Sequence, residues 1–372
     1  MPITRNNLRA CAAGAAFVLG AASASASVLT VGPGEMYKNP KAAAAAAHHG
    51  DTIEIFPGTY GGATWYPSDI TIVGMGSGAT ITYNVQNNKG LFDIIGSDVT
   101  VENLTFMGAE TSGGNGSGIR MEGNNLTVLN SKFIGNQDGI LTGDYNTSSV
   151  VIKNSIFQKN GACINSCAHA VYVGAIASLD IENSHFWQTK RGHDIKSRAL
   201  TNTITGNRIQ DGPDGTSSYL IDIPDGGILT ISDNYLEKGP KTSNKMYAIS
   251  IGEEGVRKVE GPMLIADNTY QNDSSMKGVF VRNETKYAGL VLQDNTLLGQ
   301  KTTALQGAGT VIGATSNVAA LTAPLEMAAA NFDTEFGDAA DAPTPRDAPE
   351  VPTLALVAAM LGLMWFRRRQ AV

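Results

Sequence analysis

From Val99 the chain reads VTVENLTFMG, and the same alternation returns as LTVLNSKFIG from Leu126, VVIKNSIFQKN from Val150 and LDIENSHFWQT from Leu179. Apolar side chains at every second position predict strands with one buried face. In each copy an Asn (Asn103, Asn130, Asn154, Asn183) stands three positions before a Phe (Phe106, Phe133, Phe157, Phe186). ITGNRI from Ile204, ISDNYL from Ile231, IADNTY from Ile265 and LQDNTL from Leu292 continue the series more loosely. A unit of roughly 25 to 35 residues holds two or three short strands and cannot bury its own apolar face, so copies must stack. Stacking predicts one continuous core, a ladder of equivalent Asn side chains and a column of Phe rings. The leucine spacing of leucine-rich repeats and the longer four-stranded unit of a propeller are both absent.

These repeats resemble the right-handed parallel β-helix of the pectate-lyase-like superfamily, over about Leu29 to Thr310. The resemblance implies an all-β solenoid of about ten coils, here residues 27–310, acting outside the cell on polysaccharide. The stretch NPKAAAAAAHHGDTIEIFPGTY reads as a short alanine helix, a turn, a strand and a second turn. Such a helix caps the open end of the core in many β-helix enzymes. His48 and His49 are expected at its C-terminus, where partial positive charge suits the helix dipole.

The ends carry a different pattern. Arg5 and Arg9 precede an apolar stretch and the small-residue site Ala24-Ser25-Ala26, the features of a secretory signal peptide over residues 1–26. An Ala/Pro-rich linker is expected over 311–350, and 351–372 combine an apolar run, Val351 to Phe366, with Arg367-Arg368-Arg369. That tail resembles the PEP-CTERM sorting signal of exported bacterial proteins, with Pro349-Glu350-Val351-Pro352 departing from the usual Pro-Glu-Pro box. It implies membrane anchoring by a C-terminal apolar helix or processing by a sorting machinery. Cys163 and Cys167 suit a disulfide in an oxidising compartment, with two thiols as the alternative; with His169 they lack a fourth zinc ligand. The net charge of −7 offers no basic stripe for nucleic acid, and a monomer is expected.

Charge is scarce, at 16% Asp, Glu, Lys and Arg, yet KRGHDIKSRAL places six ionisable residues between Lys190 and Arg198. In a solenoid, chemistry lies on the outer face of a sheet. Parity predicts Ile195, Ser197 and Ala199 inward and Asp194, Lys196 and Arg198 outward. The neighbouring coils add Tyr172, Arg120 and Asp222 outward, with Tyr219 and Ile221 inward. His169 and His193, 24 residues apart, are expected at equivalent places on adjacent coils at the edge of that face. Two chemistries suit the set. In a polysaccharide lyase or C5-epimerase, Arg198 or Arg120 binds a uronate carboxylate and Lys196 or His193 takes the neighbouring proton. A nearby Arg would lower the lysine pKa, and Tyr172 or His169 would protonate the leaving oxygen. In an inverting glycoside hydrolase, Asp194 and Asp222 would form the carboxyl pair. GHD and DIK only echo the Gly-His-Gly and Arg-Ile-Lys motifs of polygalacturonases, and no paired Asp-Asp exists, which places hydrolysis below elimination. No cofactor is required, although calcium could bind through Asp194 and Asp222. A non-catalytic, adhesin-like surface role is the third reading, in which the charges form a solvated face.

Overall fold

The structure, a computed structural model, describes residues 26–256 and 261–313 and the backbone of 317–318. The expected leader, the linker beyond residue 313 and the apolar tail lie outside the described residues. Among the described residues the strands form three parallel sheets of 12, 11 and 10 strands that run the length of a β-solenoid of about ten coils. Each strand pairs with its equivalents one coil before and after, as in Val150–Leu126 and Val150–Leu179. One seven-residue helix, Pro40–Ala46, starts at Asn39, whose side chain accepts from the Ala42 amide, and buries Ala43 and Ala44. His48 and His49 lie beyond its last turn and approach Asp51 and Asp69 instead of the helix terminus.

The core is columnar because the repeat puts a buried apolar residue at the same height in successive coils. Phe106, Phe133, Phe157 and Phe186 stack with ring centroids 5.1, 4.8 and 4.6 Å apart and planes within 12°. In later coils the registered partners of Phe186 are Ile209, Leu236, Tyr270 and Leu297, all buried.

The Asn pattern resolves into two adjacent columns, not one. Asn103, Asn130, Asn154 and Asn183 all have φ between 50° and 52°. They occupy a left-handed corner, a conformation that Asn, Asp and Gly tolerate best. Gly206, Asp233, Asp267 and Asp294 continue that corner. The hydrogen-bonded ladder runs one residue later, through Ser131, Ser155, Ser184, Asn207, Asn234, Asn268 and Asn295. In its asparagine part each amide donates to the oxygen of the next, at 2.9 to 3.0 Å from Asn207 to Asn295. The corner needs a residue that accepts positive φ. The ladder needs a side chain that accepts from the preceding coil's backbone, and the later copies supply an Asn there too.

Candidate functional site

The site lies on the outer face of the 10-stranded sheet, where register alone lines up a polar column. Asp93, Arg120, Leu141, Tyr172, Lys196, Asp222, Ser250 and Arg282 are successive partners across that sheet. Lys196 and Arg198 alternate outward from the strand Ile195–Ser197 and its following turn. Arg120, Tyr172, Lys196, Arg198 and Asp222 therefore share one face.

Asp194 does not join them. Along this sheet two successive residues are buried together at or just before the start of the strand: Ala170 and Val171, Asp194 and Ile195, Leu220 and Ile221, Ala248 and Ile249. The chain turns at that corner, so the period of two, which holds only within a strand, cannot be extended back through it. Asp194 points into the prism, where it meets Asp211 and Lys238 and where burial above all raises its pKa. Lys238 is equally buried, and its ammonium donates to the Ser218 carbonyl. Asp194 and Asp222 are thus on opposite sides of the sheet. That geometry removes both the expected calcium pair and the expected inverting carboxyl pair. The same corner reverses Tyr219, which stacks on the His193 ring at 5.0 Å, while its neighbour Leu220 is core.

His169 and His193 stack at 4.7 Å on adjacent coils. Asp138 Oδ1 accepts from the His169 amide, His169 Nδ1 from the His193 amide, and His193 Nδ1 from the Tyr219 amide. With Nδ1 accepting, each neutral imidazole carries its proton on Nε2. Burial, then the charges of Lys196 and Arg198, pushes the His169 pKa down to about 3, so this ring is neutral at ordinary pH. His169 secures the corner and exchanges no proton there. His193 is likewise held neutral, chiefly by burial, and its Nε2 lies 3.5 Å from Asp222 Oδ2.

The centre of the site is a charge cluster completed by a turn that parity does not reveal. Lys196 Nζ lies 3.4 Å from Asp222 Oδ2 and 2.7 Å from Glu254 Oε1. Arg198 donates from Nε to the Tyr172 hydroxyl at 3.0 Å, from Nη1 to Asp225 at 2.7 Å and from Nη2 to Glu254. Tyr219 donates its hydroxyl to Glu253 at 2.7 Å. Glu253 and Glu254 sit between Gly252 and Gly255, both at positive φ, in a turn anchored to the Ile223 and Pro224 carbonyls. In the sequence ISIGEEG the signal was a pair of acids in a glycine-flanked turn, one strand in register beyond Asp222.

Electrostatics reassigns Lys196. Burial works to lower its pKa, but Asp222 and Glu254 outweigh burial and the neighbouring Arg198, so the pKa lies above the ordinary lysine value. Lys196 stays an ammonium, contrary to its expected part as a base. Asp222, with 0% of its surface exposed, is the group whose proton is poised. Burial raises its carboxyl to about 7, Lys196 pulls the other way, and Glu253 adds to the rise. The donor atoms of His193, Asp222 and Glu253 lie within 4.8 Å of one another, close enough for one cation. Lys196, 3.4 Å from Asp222 Oδ2, already supplies positive charge there.

Beside Tyr172 the face continues into a pocket of about 320 Å³ lined by Arg120, Asp138, Thr142, Asp144 and Cys167. Its wall includes the hairpin of Ala162–Cys163 and Cys167–Ala168, closed by the Cys163–Cys167 disulfide. Arg120 is neutralised by Glu122, the residue just beyond its strand, 2.6 Å away.

No protein-family profile matches the chain, and no curated protein does. Among solved structures, a pectin methylesterase from Aspergillus niger aligns over 81% of this chain and 88% of its own, with 13% identity and a TM-score of 0.37. PfbA, a surface adhesin of Streptococcus pneumoniae, aligns over 72% and 85%, with 14% identity and a TM-score of 0.41.

Proposed function

We propose that the chain is a carbohydrate-active β-helix protein that cleaves a uronate-containing polysaccharide by β-elimination. The observation that carries this reading is the convergence of Lys196 and Arg198 on one carboxylate, directly beside a buried carboxyl poised near neutral pH. Elimination needs those two things together. The cations hold the uronate carboxylate and stabilise the charge that grows on it as the α-proton leaves. Asp222, as carboxylate, takes the proton from C5. The electron pair forms the C4–C5 double bond as the bond from C4 to the glycosidic oxygen breaks. Tyr172 gives its proton to that oxygen. Arg198 Nε donates to the Tyr172 oxygen, which leaves the phenolic proton directed elsewhere and places a cation beside the phenolate that forms. The phenolate then recovers a proton from solvent as Asp222 releases its own, closing the cycle.

An epimerase would share the first step and return a proton to the opposite face. A retaining hydrolase is the reading that the closeness of Asp222 and Glu253 favours: their oxygens lie within 4.8 Å, nearer to the spacing of about 5–5.5 Å for retention than to that for inversion. Incubation with pectate, alginate and glycosaminoglycans separates these readings. Elimination raises ultraviolet absorbance from the unsaturated uronate on at least one acidic polymer. New reducing ends without that absorbance would mean hydrolysis, inverted uronate configuration without cleavage would mean epimerisation, and binding with neither change would mean an adhesin-like role.

A further inference from the structure

Arg120 and Arg282 each pair with a Glu two residues along, Glu122 and Glu284, so their charges are met within the local chain. Lys196 and Arg198 have no acid on their own strand. The residue that bridges them, Glu254, comes from 58 and 56 positions away, two coils further along the solenoid. One oxygen, Oε1, takes the Lys196 ammonium and the other, Oε2, takes the Arg198 guanidinium. A carboxylate held by one cation on each oxygen is the arrangement a bound uronate would require. The backbone beneath it is fixed, with the Glu254 amide donating to the Pro224 carbonyl at 3.2 Å and the Gly255 amide to the Gly252 carbonyl at 3.1 Å. The side chain itself is 34% exposed. It can therefore rotate into solvent without moving the turn.

We propose that Glu254 is an internal stand-in for the substrate carboxylate: it fills the Lys196–Arg198 seat in the unliganded protein, and an acidic sugar must displace it to bind. The inference rests on the uronate reading above and adds a device to the same site. Without a ligand, Glu254 adds to Asp222 and Asp225 in compensating two partly buried cations. With a ligand, one carboxylate replaces another at nearly constant net charge in the seat. A neutral sugar offers no such exchange and leaves Glu254 in place, so the same residue discriminates against neutral glycans. The apparent affinity for an acidic sugar is lowered by the fraction of molecules in which Glu254 holds the seat.

The test is isothermal titration of the full chain with tri-galacturonate, tri-mannuronate and, as the neutral control, cellotriose, all in an Asp222→Asn background that prevents turnover. Glu254→Gln is expected to bind at least one acidic trisaccharide about tenfold more tightly than the protein with Glu254 intact, with no change toward cellotriose. Adding Arg198→Ala should remove that gain. Glu254→Asp, too short to reach both cations, gives the same direction and serves if Glu254→Gln melts at a lower temperature. Equal or weaker acidic binding in both Glu254 variants, where the Glu254-intact protein does bind, overturns the stand-in and leaves the uronate reading standing. Absence of acidic binding in every variant overturns the uronate reading and the stand-in with it.

Discussion

Asp222→Asn is expected to lower kcat/KM for elimination by about 10²–10⁴-fold, the usual contribution of a positioned general base, with the fold intact. The fold should survive because the substitution puts a neutral amide where burial already resists a charge. The pH dependence carries the same signature. Asp222 acts as carboxylate and its pKa is raised to about 7, so activity rises as pH increases through about 7 and is lost below it. Lys196→Ala removes a charge that lowers the Asp222 pKa, so the residual activity of that variant should show its acid limb at higher pH. Lys196→Ala and Arg198→Ala should each also raise KM, because both hold the substrate carboxylate. Initial rates on the polymer that is cleaved, measured across pH, check all three. An unshifted limb in Lys196→Ala, or full activity in Asp222→Asn, contradicts the assignment.

Phe157→Ala should destabilise the solenoid by about 3–5 kcal/mol, the range for removing a buried aromatic side chain. Phe157 stacks on Phe133 at 4.8 Å and on Phe186 at 4.6 Å, so its loss opens a cavity and removes two ring contacts at once. Phe157→Leu should cost far less, since the same column is filled by Leu236 and Leu297 in later coils. Urea unfolding followed by far-ultraviolet circular dichroism measures the difference. Equal midpoints for the Ala and Leu variants would mean that the ring column is not a principal source of stability.

The solenoid was legible because its signal is repeated: period two within strands throughout, and an Asn and a Phe at fixed offset in four successive coils. Repetition also puts Tyr172, Lys196 and Asp222 in one outward column, since register carries parity from strand to strand. What stayed hidden sits where repetition stops. Asp194 and Tyr219 lie at the corner, where the turn resets which side a residue faces, and period two alone cannot say where a strand begins. Asn207 and its successors look like copies of Asn183 in the sequence, yet they stand one place later, because a left-handed corner accepts Gly206 or Asp233 as readily as Asn. Glu254 belongs to a turn rather than a strand, so no alternation points to it. Nor can the state of Lys196 be read from its neighbours in sequence: Arg198 argues for a lowered pKa, whereas Asp222 and Glu254, brought from other coils, prevail.

A crystal structure of the Asp222→Asn variant soaked with an acidic trisaccharide tests the central claim most directly. The account places one uronate carboxylate between Lys196 Nζ and Arg198 Nη2, Glu254 turned out to solvent, and C5 of that sugar facing residue 222. A sugar bound elsewhere on the solenoid, with Glu254 still bridging the two cations, would contradict it.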